Sequence, residues 1–196
     1  RLVFNKRKSY MSSAKQILSE AAQSFSAITD IADVVDEAAQ CVTASLKQGG
    51  KIFFCGNGGS AGDAQHLEAE FLGRFLKERK PLPAIALTTN ASAVTAIAND
   101  YDYSDVFSRQ LQGLAKPGDV LIAISTSGNS PSVIKAIEMA SKCQVKSIVF
   151  TGINSSKASE ISDIAIKAPS SSTPRIQEMH IAIGHTLCEI AENNLV

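Results

Sequence analysis

Residues 51–62 read KIFFCGNGGSAG, and this stretch decides the fold. The four apolar residues 52–55 are typical of a strand that is buried on both faces, as the strands of parallel sheets are. The glycines that follow permit a tight turn directly into a helical pattern that continues to residue 75. A buried strand that turns at once into a helix is the first half of a β-α-β unit.

The same alternation of strand and helix patterns continues along the chain. Apolar runs typical of strands occupy residues 52–55, 84–87, 120–124, 147–150 and 164–166. Helical patterns occupy residues 60–75, 92–98, 106–114, 131–142 and 174–194. Strands that alternate with helices predict an α/β fold, here a doubly wound, flavodoxin-like parallel sheet of five strands.

The segment 12–47 precedes the first strand and has a continuous helical pattern. Its length predicts a bend or two helices, and Gly49 and Gly50 are expected to end it. Its apolar positions are too many for one narrow seam, which indicates burial in an oligomer. Residues 1–11 are expected to be a vector-derived remnant, and residues 12–196 a single domain with an N-terminal helical arm.

Composition excludes several classes of function. The 196 residues carry 19 basic and 19 acidic side chains, so a dedicated nucleic-acid or membrane-surface binder, which needs concentrated positive charge, is disfavoured. No apolar run approaches the roughly 20 residues that span a bilayer. The four cysteines, Cys41, Cys55, Cys143 and Cys188, form no CxxC pair, so we expect reduced thiols and a cytoplasmic protein.

Two loops that follow strands have the composition of phosphate sites. The first, residues 56–62, is rich in glycine, and the second, residues 125–130, carries hydroxyl groups beside a glycine and precedes Pro131. Backbone amides and hydroxyls at a helix N-terminus bind anions, so the pair predicts a phosphomonoester site. Either loop alone is equally consistent with a tight turn or a helix cap. Neither matches a Walker or dinucleotide motif, which disfavours kinases and dehydrogenases.

Charged residues on two helical patterns are candidates for chemistry. His66 and Glu70 are four residues apart and share a helix face, as a metal-ligand pair or an acid/base pair would. The alternative is a surface pair worth about 0.3–0.5 kcal/mol. On the last helix, His185 is either a site residue or a core histidine, and His180 is expected to be structural.

These stretches resemble a known family. CGNGGSAGDAQHLEAEFLGRF (55–75), AIANDYDYSDVFSRQ (96–110), ISTSGNSPSVIKAI (124–137) and TPRIQEMHIAIGH (173–185) together resemble the phosphoheptose isomerases of the sugar isomerase (SIS) domain family. The resemblance runs from about residue 12 to the end of the chain. It implies conversion of sedoheptulose 7-phosphate into D-glycero-D-manno-heptose 7-phosphate for bacterial lipopolysaccharide core or capsule synthesis.

The resemblance also implies site residues, a metal and an assembly. The positions that match the family's substrate contacts are Asn57, Gly58, Gly59, Ser60, Glu70, Asn99, Asp100, Ser125, Thr126, Ser127, Ser130 and Gln177. The positions that match its zinc ligands are His66, Glu70, Gln177 and His185. The implied assembly is a homotetramer with active sites between subunits, which binds a sugar phosphate and neither nucleic acid nor membrane.

The implied reaction moves a proton between C1 and C2 of the sugar through an enediol. It needs a base and an acid at the reacting atoms, and we expect Glu70 to be the base and His185 its acid/base partner. Zinc would polarise the carbonyl. Two conflicts arise: Gln177 and His185 are about 12 Å apart along a helix, and a zinc-bound His185 cannot also act as a free base.

Two alternatives stay open. The SIS scaffold also serves a tetrameric regulator that binds the replication initiator DnaA and resembles this chain in the glycine loop and the RIQEMH segment. That regulator lacks a histidine at the position of His185, so the histidine favours catalysis. The second alternative is a SIS enzyme for a hexose or pentose phosphate, because the sequence does not show the length of the sugar.

Overall fold

The computed structural model describes residues 13–196, so the expected remnant at residues 1–11 lies outside the described residues. Its centre is a parallel sheet of five strands: β1 (Ile52–Gly56), β2 (Ala84–Ala86), β3 (Val120–Ile124), β4 (Lys146–Thr151) and β5 (Ile164–Lys167). The strand order is β2-β1-β3-β4-β5, with Ile52 opposite Ala84 on one side and Val120 on the other. This order is the flavodoxin-like one, so the fold prediction is confirmed.

Eight α-helices accompany the sheet in the described residues. They are α1 (Ala14–Ser26), α2 (Ala32–Lys47), α3 (Gly59–Leu72), α4 (Ala91–Asp100), α5 (Ser108–Leu114), α6 (Pro131–Lys142), α7 (Lys157–Ile161) and α8 (Thr173–Leu195). Two short 3₁₀ helices, Ala27–Ile31 and Tyr103–Asp105, join neighbouring helices. The predicted bend in the N-terminal segment is the first of these. The sequence did not predict α7, which is five residues long and therefore too short to show periodicity.

Alternate residues of each strand face two separate cores. On β1, Phe54 packs with α2, α3 and α8, whereas Phe53 packs with α5, α6 and α7. Both phenylalanines are fully buried, as the continuous apolar run of residues 52–55 predicts for a strand covered on both faces. The helices thus lie on both faces of the sheet, and the carboxyl ends of the strands lead into the candidate loops.

The helices α3 and α8 lie side by side and run in the same direction. Gly59 on α3 lies against Gln177, and further along both helices Leu67 lies against Gly184. A Cβ atom at Gly184 would come within 2.6 Å of the methyl groups of Leu67, so the missing side chain lets the two helices approach. This contact sets which residues of the two helices face each other.

The N-terminal helical arm divides into a packed part and an open part. Helix α2 buries Val35, Ala39 and Val42 against the first core. Helix α1 has no buried residue, and its Leu18 is 68% exposed. Among residues 13–196, none of the helices combines the length and the apolar character that a membrane span requires.

A buried carboxylate fixes the amino ends of β1 and β3. Asp119 accepts hydrogen bonds from the backbone N–H groups of Lys51 (2.9 Å) and Lys116 (2.8 Å) and pairs with the Lys51 ammonium at 2.6 Å. Its side chain is only 3% exposed, so all three donors are needed to compensate for the buried charge.

We expect Asp119→Ala to lower the free energy of unfolding by about 3 kcal/mol, because it leaves the buried donors unpaired. Urea unfolding at pH 7 measures this loss. The matched control is Glu78→Ala, which breaks the exposed Arg74–Glu78 pair (4.0 Å) and is expected to cost less than about 1 kcal/mol. Equal losses in the two variants would contradict this assignment.

Candidate active site

Three side chains meet on the facing surfaces of α3 and α8. His66 Nε2 lies 3.1 Å from Glu70 Oε1 and 3.0 Å from His185 Nε2. The ligand atoms of all three residues lie within 4.8 Å of one another. We call His66, Glu70 and His185 the histidine cluster. The structure therefore joins the pair on α3 to a histidine that is 119 residues away in the sequence.

The two helices place the cluster in different ways. On α3, the four-residue spacing puts His66 and Glu70 one turn apart on the same face. On α8, His185 follows Gly184, and the close approach there brings its ring to within 5.0 Å of the His66 ring. The ring of Phe75 also packs against His185, with ring centroids 5.5 Å apart.

The histidine cluster has the donor set and the spacing of a zinc site. Two imidazole nitrogens and a carboxylate oxygen are ligands that zinc prefers. With bonds of about 2.0–2.1 Å, the ligand atoms of a tetrahedral zinc site lie roughly 3.3 Å apart. The spacings from His66 Nε2 to His185 and to Glu70, 3.0 and 3.1 Å, are close to this value, and all three ligand atoms lie within 4.8 Å of one another, so the donor set is compatible with the metal.

The cluster lies at the surface of the single chain. The side chain of His66 is 50% exposed and that of Glu70 is 25% exposed. His185 is half-buried rather than enclosed in the core, so the core-histidine alternative is not what the structure shows.

The hydroxyl-rich loop after β3 lines a polar cleft of about 330 Å³. The residues that line this serine cleft are Thr126, Ser127, Asn129, Gly152, Asn154, Ser155, Ser170, Ser171, Thr173 and Ile176. Thr173 begins α8, so the N-terminus of a 23-residue helix opens into the cleft. Hydroxyls beside a helix N-terminus form a neutral anion site, and none of the described residues that line this cleft is charged.

The other serines of this loop have different surroundings. Ser125 is buried, and its Oγ accepts a hydrogen bond from the N–H of Gly128 (3.1 Å). Ser130 lines a second cleft, of about 520 Å³, that we call the tyrosine cleft. The residues that line it are Asn57, Asp102, Tyr103, Ser104, Ser130, Pro131 and Ser132. Of the predicted phosphate contacts in this loop, Thr126 and Ser127 thus line the serine cleft, Ser130 lines the tyrosine cleft, and Ser125 lines neither.

The glycine-rich loop after β1 is held by its asparagine. Asn57 donates to Ser132 Oγ at 2.9 Å and accepts from the Tyr103 hydroxyl at 2.8 Å. Gly58 has φ +57°, a conformation that favours glycine. Ser60 is buried in the first turn of α3, where it packs under Gly56.

Gln177 lies at the glycine loop. A Cβ atom on Gly59 would stand 2.5 Å from Gln177 Nε2, so the side-chain amide occupies the space that this glycine leaves. Because Gln177 and His185 are two turns apart on the continuous helix α8, they face two different points of α3.

The remaining predicted residues are peripheral or structural in the single chain. Asn99 and Asp100 are exposed at the end of α4, where Asn99 Nδ2 donates to Asp100 Oδ1 at 2.9 Å. His180 is buried, and its Nε2 lies 3.1 Å from the carbonyl oxygen of Thr151. Burial lowers the pKa of His180 to about 4, so the ring is neutral at pH 7 and donates from Nε2.

Several residues that shape these sites were not predicted from the sequence. Tyr103, which holds Asn57, and Phe75, which covers His185, had no signal in a single sequence. The hydroxyl run Ser170–Thr173 before Pro174 did have one, because it repeats the composition of residues 125–130 ahead of a helix.

The chain is similar to known proteins of one family. The SIS domain model matches residues 9–152. The phosphoheptose isomerase of Rhodospirillum rubrum is 55% identical over 175 residues, which is 89% of this chain and 93% of that protein.

Solved structures of phosphoheptose isomerases are also similar to this chain. A phosphoheptose isomerase from Francisella tularensis superposes with a TM-score of 0.87 at 36% identity, covering 93% of this chain and 100% of that one. Phosphoheptose isomerase GmhA from Neisseria gonorrhoeae has a TM-score of 0.83 at 39% identity, covering 91% of this chain and 98% of that one. The resemblance found in the sequence is therefore confirmed: the chain belongs to the SIS domain family and, within it, to the phosphoheptose isomerases, which are sugar-phosphate isomerases.

Proposed function

We propose that this protein converts sedoheptulose 7-phosphate into D-glycero-D-manno-heptose 7-phosphate. The observation that carries the proposal is the histidine cluster, which joins an imidazole–carboxylate pair to a second imidazole in a chain of this family. The product would supply heptose for a lipopolysaccharide core or a capsule. Four free cysteines support a reducing compartment, the bacterial cytoplasm.

The phosphate of the substrate is assigned to the hydroxyl-rich loop. Thr126 and Ser127 line the serine cleft. Ser130, the residue immediately before α6, lines the tyrosine cleft. Hydroxyl and amide donors at helix N-termini hold a dianion without a buried cation. Binding energy from this remote group orients the sugar for reaction at C1 and C2.

Glu70 is the proposed base. Its Oε1 faces His66, which leaves the second carboxylate oxygen available to take the proton from C1 of the ketose and to return it at C2. His185 is assigned to the substrate oxygen atoms. When no metal is present, its imidazole exchanges a proton there, as the acid/base partner does in an enediol reaction.

Zinc is the proposed cofactor, held by His66, Glu70 and His185. When bound, it would polarise the carbonyl and stabilise negative charge on the substrate oxygens. In that form His185 serves as a ligand, because one nitrogen cannot bind a metal and a proton together. Gln177 lies at Gly59 and is assigned to the sugar rather than to the metal.

A homotetramer with active sites between subunits is the proposed assembly. The histidine cluster is half open to solvent in one chain, whereas proton transfer at carbon benefits from exclusion of water. Along α8, Thr173 in the serine cleft and His185 are separated by twelve residues, or about 18 Å. A second chain that covers the cluster would close the site, and the apolar exposed face of α1 is suited to such a contact.

The test is incubation of the purified protein with sedoheptulose 7-phosphate, with and without added Zn²⁺, followed by detection of the aldose. We expect aldose in both cases and faster turnover with zinc. A preference for a six-carbon ketose phosphate in the same assay would reject the heptose assignment. The absence of product under both conditions would reject catalysis and favour a binding module.

We expect Glu70→Gln and His185→Asn each to lower kcat by at least about 100-fold, because each removes a proton-transfer or ligating group. The circular dichroism spectrum should be unchanged. The control is Glu68→Gln, which alters a carboxylate of the same helix outside the cluster and should retain kcat. Full activity in either cluster variant would remove that residue from the mechanism.

We expect Gly59→Ala to raise KM for the sugar phosphate roughly threefold to tenfold, because the new Cβ displaces the Gln177 amide. The matched control is Gly62→Ala in the same helix, where a Cβ would meet nothing within 4 Å. Steady-state kinetics of both variants measure the difference. An equal KM in both would place Gln177 outside the sugar site.

A further inference from the structure

A buried ion pair joins the segment after α3 to the end of α8. It consists of Arg79 and Glu192. Arg79 Nε donates to Glu192 Oε1 at 2.8 Å, and the side chains are only 4% and 1% exposed. Burial of two charges is costly unless every polar atom is satisfied, so a pair of this kind needs a dense set of hydrogen bonds. That set reaches both helices that carry the cluster.

The arginine caps the end of α3 at Glu70 itself. The last carbonyl groups of a helix have no partner inside it. Arg79 Nη2 donates to the backbone oxygen of Glu70 at 2.7 Å, and Nη1 donates to that of Phe71 at 2.9 Å. The guanidinium therefore holds the backbone from which the proposed base projects.

Glu192 binds the backbone of the segment whose Phe75 ring packs on His185. Glu192 follows His185 by two helical turns on the same face of α8. Its carboxylate accepts hydrogen bonds from the N–H groups of Phe75 (3.2 Å), Leu76 (2.8 Å) and Lys77 (2.8 Å). Phe75 is the residue whose ring packs on His185, so the carboxylate fixes this ring through its backbone.

The carboxylate stays ionised in this setting. Burial alone would raise the pKa of Glu192, but the three backbone N–H groups and Arg79 together hold it below its ordinary value. The ion pair thus links two stretches of backbone, because the arginine contacts the Glu70 backbone and the glutamate contacts the Phe75 backbone.

We propose that Arg79 and Glu192 are positioning residues that set the separation of Glu70 and His185 across the α3–α8 contact. The proposal rests on the proposed function of the cluster. We call Arg79 and Glu192 the clamp. A displacement of about 1 Å at a reacting group lowers a rate by roughly 100-fold, so loss of the clamp affects chemistry as well as stability. A lysine at position 79 keeps the charge but cannot form the planar fork that reaches Glu192 and two carbonyls together.

The test compares Arg79→Lys and Glu192→Gln with Asp119→Asn. The control variant weakens the buried pair of Asp119 with Lys51. This pair lies at the amino ends of β1 and β3, whereas the candidate loops follow the carboxyl ends of these strands. Each protein is measured for urea unfolding, for Zn²⁺ affinity by titration and for kcat and KM with sedoheptulose 7-phosphate. The ¹⁵N signals of the histidine rings are recorded on the same samples. Glu192→Gln retains acceptor oxygen for the Phe75–Lys77 amides and serves if the lysine variant does not fold.

We expect all three variants to lose stability. Only the two clamp variants should lower kcat, by about 10- to 100-fold with KM changed less than about threefold, and weaken zinc binding about tenfold. They should also shift the ring signals of His66 and His185, which the control leaves in place.

Unchanged kcat, zinc affinity and ring signals in a folded clamp variant would overturn the proposal and leave the pair as structural only. If the unaltered protein neither isomerises the substrate nor binds zinc, the proposed function fails. The histidine ring signals then still decide whether the clamp positions His185, because they do not depend on activity.

Discussion

The contact between α3 and α8 is the constraint on which the rest of the site depends. Gly184 has no side chain, so α8 lies directly on Leu67 of α3, and the two parallel helices keep one register along their length. That register places Gln177 against Gly59 at one end and His185 against His66 further along. Two groups of residues distant in the sequence become one candidate site because two helix surfaces interlock.

The chemistry of the site follows from where the fold concentrates polar groups. The serine cleft is lined by hydroxyls and by a helix N-terminus, groups that suit the proposed phosphate, while the imidazoles and the carboxylate lie on the neighbouring helices. A phosphate held by neutral donors stays exchangeable, which suits a substrate that must leave after each turnover. The balanced charge of the chain agrees with this mode of recognition, since no general positive field is needed.

The exposed features of the single chain form a pattern as well. Helix α1 presents Ile17, Leu18 and Phe25 to solvent, and His66 is half open. An apolar arm and an uncovered reactive cluster on the same chain are features that assembly of several chains would resolve together, because one contact buries the first and shields the second.

Local sequence patterns were enough to predict individual elements. These are the buried strands at residues 52–55 and 120–124, the glycine turn, the helix that begins at Pro131, and the His66–Glu70 pair one turn apart. These features are set by interactions among residues close together in the chain, so periodicity and turn chemistry reveal them. That His185 joins this pair was implied by the family resemblance and by no local pattern. Tertiary structure alone decided that Gln177 lies against Gly59, away from His185, and that Arg79 pairs with Glu192. Those contacts bridge more than 100 residues, and they depend on how closely two helices pack, which a pattern in one segment does not encode.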